Sequence, residues 1–166
     1  MECQDLLEQI EVMTVRIATG DRRIKTMAGQ ADTARRLQTV PGVGPLTALA
    51  VEAFAPPMET FKSGRDFAAW PGLVPKQHSS GGKERLGRVS KAGQRDIRQL
   101  IIMGAMSRLN WMGRKAISET SWLAAMIARK PRMLVAIALA NKMARIIWAM
   151  MIGQEDYRTP ATATAA

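Results

Sequence analysis

The stretch Gln77–Lys91, which reads QHSSGGKERLGRVSK, constrains the fold more than any other part of the chain. Three serines, three glycines and four Lys or Arg leave almost nothing to bury. Apolar segments with helical spacing lie on both sides of it. The core must therefore be built from helices before and after this stretch, with the stretch itself mounted on the body as an exposed loop. Alternation of the kind a strand needs is never longer than a few residues, and Val74-Pro75 and the flanks of the serine loop are its only candidates. The expectation is an all-α fold.

Before the loop, residues 6 to 35 carry a heptad rhythm: Leu6, Ile10, Met13, Ile17, Ile24, Met27 and Ala31 fall on one seam, and Gly20 occupies the skipped position. Glu8, Glu11, Arg16, Arg22 and Arg23 lie off it. Such a helix needs a surface to bury its seam, which a second copy or the body of the protein could supply equally well. Gly20-Asp21 is expected to weaken, kink or break it. This gives a coiled-coil-like arm over residues 1–36.

Leu37–Phe54 then passes from an apolar helical end through Pro41-Gly42-Val43-Gly44 into a second apolar helix beginning near Pro45. The order resembles a helix–hairpin–helix DNA-binding motif. Glycines allow the tight turn, and proline suits the first helical turn, where a missing N–H costs nothing. Backbone N–H groups around Gly42, Val43, Gly44 and Thr47 are the candidates to hold a DNA phosphate. Pro56-Pro57 ends that helix. Ser63 is placed to cap a short helix through Trp70, with Phe67 and Trp70 facing inward. Beyond the loop, helices are expected over Ile97–Trp111, Trp122–Ala128 (with Ser118 or Thr120 as cap) and Pro131–Ile152. Ser90 caps or precedes the first of these, and Gly153 stops the last. Ala136, Ala140 and Ala144 make a small-residue stripe on the last helix. Asn141, Lys142 and Arg145 interrupt that same apolar run, which argues for a buried helix rather than a membrane span. One domain is expected over 37–152, followed by a Thr/Ala-rich tail over 153–166 expected to be disordered.

Charge is what links the loop to a partner. The net charge of the 166 residues is +10, and between Lys62 and Arg98 nine basic residues face three acids. Lys76, Lys83, Arg85, Arg88, Lys91, Arg95 and Arg98 surround the serines, the footprint expected of a surface that meets a nucleic-acid backbone. A serine that attacks a phosphodiester needs an exposed oxygen, a destination for its proton and cations to hold the phosphoryl charge. Ser80-Gly81-Gly82 with Lys83, Arg85 and Arg88 offers that set, as does a loop that only binds phosphate. His78 is the one histidine and could accept the proton; Cys3 is the one cysteine. No disulfide and no Cys/His zinc site can be assembled within one chain. The lone thiol suits a reducing, cytoplasmic setting, and the polar N-terminus is not a signal peptide.

Taken in order, Pro41–Pro45, the Phe67–Pro75 run FAAWPGLVP, Ser79-Ser80-Gly81-Gly82-Lys83 and Gly87–Gly93 resemble one family. The chain is similar, over about residues 37–152, to the C-terminal transposase domain of insertion-sequence transposases of the "IS-one-ten" type. Its arm is similar to their coiled-coil connector. The resemblance implies a DNA recombinase that works by a covalent phosphoserine intermediate, guided by a bridge RNA and assembled as a dimer or higher assembly. It implies Mg only in an N-terminal RuvC-like domain with a carboxylate tetrad, and no cofactor or metal in residues such as these. The family pattern Pro-x-x-x-x-Ser-Gly falls on Pro75–Gly81 and assigns the nucleophile to Ser80, with Ser79 as competitor. The fourteen acids are scattered, none on a series of apolar strands, so the chain is expected to be a fragment lacking the RuvC-like domain. Two other readings fit the same residues: a non-catalytic helix–hairpin–helix nucleic-acid module, and a helical protein that dimerises through residues 6–35.

Overall fold

A computed structural model describes residues 2–78, 86–112 and 122–158. Seven α-helices and one two-stranded sheet lie within them: α1 (Glu2–Gln30), α2 (Asp32–Leu37), α3 (Pro45–Phe54), α4 (Gly64–Ala69), β1 (Pro75–Gln77), β2 (Leu86–Val89), α5 (Arg95–Met112), α6 (Trp122–Arg129) and α7 (Arg132–Gly153). The fold is all-α apart from that antiparallel pair, whose strands form on the two flanks of the serine loop.

The core is laid around α7. Ala136, Ala140 and Ala144 are fully buried, so this stripe lets neighbouring helices close in. Leu139, Met143 and Ile147 fill the same face. α5 meets it with Ile97, Ile101, Ala105 and Leu109, one residue per turn. α4 adds Phe67, whose ring stacks with Trp70 at 5.7 Å and meets Phe61 edge-on at 5.3 Å. Trp70 is thus a half-buried core residue. α4 begins as its sequence indicates, with Ser63 accepting the Asp66 N–H. The expected caps of α6, Ser118 and Thr120, fall outside the described residues. α7 is long and apolar enough to cross a membrane, but its apolar face is the centre of this core.

Several expectations change. Gly20 does not interrupt α1, which runs unbroken from Glu2 to Gln30. One glycine costs a helix only about 1 kcal/mol, too little to end one of this length. The face of α1 that docks carries Ile24 and Ala28, with Ala31 just beyond its end, and packs by α3, whereas residues 3–19 are exposed throughout. The arm therefore divides: its C-terminal third is covered by the body and the rest, about 27 Å of helix, is not. At the other end of the chain, α7 includes Gly153, and the left-handed cap is Gln154 with φ of 50°. Tyr157 is docked beyond that cap: its N–H donates to Thr39 Oγ1 at 2.9 Å and its ring packs on the core. Ser90 lies ahead of α5 and accepts the Ala92 N–H, so it precedes the helix without capping it.

Candidate nucleic-acid interface

The serine loop springs from a hairpin that is tied firmly at its base. Ser90 N–H donates to the Val74 carbonyl (2.9 Å), Lys91 N–H to Gly72 (3.3 Å) and Gln94 N–H to Trp70 (3.2 Å). Two glycines make this possible. Gly72 has φ of +75° and Gly93 φ of +97°; a Cβ on the first would overlap the Ala92 carbonyl and on the second the Trp70 carbonyl. The limbs can approach only where both lack a side chain. Lys91 itself takes φ of 54°, an uncommon value for a residue with a Cβ. Arg98 braces the same place: its Nη1 donates to the Pro71 carbonyl at 2.8 Å, and the side chain is half-buried. This predicted phosphate ligand is therefore already committed to the fold.

The strands pair Pro75 with Val89 and Gln77 with Leu86, with a bulge between, so Gly87 and Arg88 together oppose Lys76. Lys91 and Arg95 lie at the hairpin's base. All four cations are exposed. Among the described residues the ion pairs are Arg35–Asp32 and Arg158–Glu155, neither of which involves this cluster. His78, at the exit of β1, lies over Gly87: a Cβ there would come within 2.6 Å of the imidazole. Ser79, Ser80, Lys83 and Arg85 fall outside the described residues.

The Pro-Gly-Val-Gly turn is placed elsewhere on α5. Gly42 takes φ of +98°, and a Cβ on it would come within 2.7 Å of the Gly104 carbonyl. Reciprocally, a Cβ on Gly104 would overlap the Gly42 carbonyl. The turn is therefore seated backbone-to-backbone on the middle of α5, about 14 Å along the helix from Arg95. Gly44 is the N-cap of α3 and Pro45 its first residue, with no side chain capping the end. Four N–H positions at a helix start have no intrahelical acceptor. Val43 is not among the donors left over: its N–H goes to the Val40 carbonyl at 2.9 Å and its side chain is buried. Thr47 is buried on the first turn. Gly44 and the first turn of α3 thus remain the part of this motif able to meet a phosphate.

The Gly42–Gly104 and Gly72–Gly93 approaches were missed from the sequence because they join residues far apart in the chain. The pairing of small residues with Pro-Gly and Ala-Gly dipeptides is the signal they leave. Among the described residues no three His, Cys, Asp or Glu come together to hold a metal ion.

Comparison with known proteins completes the description. Residues 34–121, more than half of the chain, match the Transposase IS116/IS110/IS902 family. A "Probable family 20 transposase" of Pseudomonas aeruginosa is 41% identical over 155 residues, which is 93% of this chain and 46% of that protein. The transposase for insertion sequence element IS1111A of Coxiella burnetii is 42% identical over 146 residues, 87% of this chain and 40% of that protein. The transposase for insertion sequence element IS1328 of Yersinia enterocolitica is 39% identical over 147 residues, 86% and 41% respectively. The chain spans less than half the length of these curated relatives. With its ordered motifs and this match across the turn, the hairpin and α5, the chain belongs to the IS116/IS110/IS902 family of insertion-sequence transposases.

Proposed function

We propose that these residues form the DNA-handling serine domain of a transposase. The observation that carries the reading is the tied hairpin: its base is held by backbone bonds on the two flanks of the Ser/Gly stretch, and Lys76, Arg88, Lys91 and Arg95 are exposed on it without an acidic partner among the described residues. Ser80 is the nucleophile, and Ser79 its competitor. Its Oγ attacks a DNA phosphorus, forming a seryl phosphodiester as one DNA P–O bond breaks. The departing DNA oxygen takes up a proton, and the seryl proton leaves to His78 or to water. One phosphodiester replaces another, so no external energy source is needed. The cations, with Lys83 and Arg85 from the loop, hold the charge that develops on phosphorus. Gly44 and the first turn of α3 grip a second phosphate without reading sequence.

The partners implied are DNA, a guide RNA and a second copy of the chain through the exposed part of α1, in a bacterial-type cytoplasm. The carboxylate-bearing RuvC-like domain and its Mg would lie outside these 166 residues. The decisive experiment is covalent trapping. The chain, supplied with such a domain and guide RNA, is mixed with a donor junction and denatured. A protein–DNA adduct is expected, lost in Ser80→Ala and kept in Ser79→Ala. An adduct that survives Ser80→Ala and disappears in Ser79→Ala moves the nucleophile by one residue. No adduct from the unaltered chain ends the serine mechanism.

A further inference from the structure

Beside the hairpin lies a groove of about 880 Å³, lined by β2 and α7 together with Trp122 at the start of α6. Its surface is mainly apolar, with Leu134 and Ile137 of α7 among the walls, yet Arg88, Lys142 and Arg145 open onto it and, among the described residues, no acid does. None of these three cations has an acidic partner among the described residues. Trp122 is 42% exposed, a large share for a tryptophan, and Lys142 Nζ sits 4.8 Å from its ring centroid. That contact pre-orders the indole and sets an ammonium at the lip.

We propose that this groove takes one unpaired nucleotide of a DNA strand, its base against Trp122 and the apolar wall of α7, its phosphates met by Arg88, Lys142 and Arg145. The inference rests on the reading above, that the chain handles DNA. The volume is that of a small-molecule site, which a single nucleotide fits and a duplex does not. A base inside a duplex has both faces covered by its neighbours, whereas an unpaired one offers a free face for stacking on an aromatic ring. Cations without an acidic partner among the described residues, set around an apolar floor, suit a ligand that is flat and apolar at one end and anionic at the other. β2 links the groove to the serine loop, so a nucleotide seated here would flank the phosphate that the loop addresses. A second copy's α1 is the competing occupant, since Glu8 and Glu11 accompany its exposed apolar residues. A helix with its side chains is about 10–12 Å across, which is broad for this space.

The test uses the full chain with short DNA carrying 2-aminopurine, either unpaired or in a duplex of the same sequence, and an RNA strand of that sequence, all at one low salt concentration. Binding is expected to quench the unpaired 2-aminopurine by stacking. Trp122→Ala should weaken the unpaired strand about 5- to 100-fold and leave duplex affinity unchanged, while Trp122→Phe keeps most of the affinity. Leu134→Glu, at an exposed position, should repel the same ligand without disturbing the core. Helical circular dichroism checks that each variant is folded. Equal loss on duplex and unpaired DNA, no loss in either variant, or tighter binding of RNA than DNA overturns the groove assignment. Duplex binding with no preference for the unpaired strand also overturns it, yet leaves the DNA-handling reading standing. Failure to bind any DNA at low salt removes both. If the variants instead change only the sedimentation of the chain, the groove belongs to a second copy and not to DNA.

Discussion

At the scale of single residues, the glycines divide by what surrounds them, and their substitutions should differ in sign. Gly104 lies within α5, where alanine is ordinarily better by about 1 kcal/mol. Here a Cβ would run into the Gly42 carbonyl, backbone that cannot rotate aside. Gly104→Ala should therefore destabilise the fold, by about 1–3 kcal/mol on the scale of overpacked cores, read as a lower urea midpoint. A methyl group on Gly20, mid-way along α1, would meet nothing within 4 Å, and the backbone there is ordinary helix. Gly20→Ala should raise helical circular dichroism and leave the core's urea midpoint unchanged or higher. Equal effects from the two would mean that the turn is not seated on α5 as described. Such assignments were only half legible beforehand. The turn glycine at 42 declares itself through Pro41 and the helix that follows. Gly104 reads as a poor helix residue until its neighbour 62 positions away is known.

Among the elements, α1 carries the clearest unmet demand. Leu6, Ile10 and Ile17 are each more than half exposed, at 57%, 62% and 65%. The heptad rhythm foretold a seam, and its helical form follows from spacing alone. What spacing could not tell was how the seam is shared, because the docking of Ala28 against the body depends on where α3 lies. Burying the open part in a second copy predicts a dimer in analytical ultracentrifugation, converted to monomer by Ile10→Glu with Ile17→Glu. Both changes fall on the exposed part, so the core should keep its urea midpoint. A chain that is monomeric before any change contradicts dimerisation through this arm. The hairpin teaches the reverse lesson. Its strands are too short and too polar for a periodic signal, so only the flanks of the loop hinted at them. The bonds from Ser90, Lys91 and Gln94 to residues 70–74 hold them together. The basic Ser/Gly stretch stands out by composition, whereas the groove beside β2 leaves no mark in the sequence. Trp122 comes from α6 and Lys142 and Arg145 from α7, so they meet only once α6 folds against α7.

For the whole molecule, the net charge of +10 becomes a measurable slope. Each phosphate neutralised by the protein releases counterions, so the logarithm of affinity falls with the logarithm of salt in proportion to the number of contacts. Lys76, Arg88, Lys91 and Arg95 form one exposed cluster on the hairpin, whereas Arg16, Arg22 and Arg23 lie on the distant arm. Replacing the four hairpin cations by alanine should lower the slope on duplex DNA by roughly 3 to 4, at about 0.9 per lost phosphate contact. Replacing the three arm arginines should leave the slope nearly as it was while lowering the net charge almost as much. Comparison of the two sets separates a localised interface from general attraction to a basic protein. If both lower the slope in proportion to the charge removed, the hairpin is one part of a diffuse basic surface. If only the hairpin set does so, the phosphates are held where the serine loop can reach them, and the tied base of the hairpin is what keeps loop and phosphate in register.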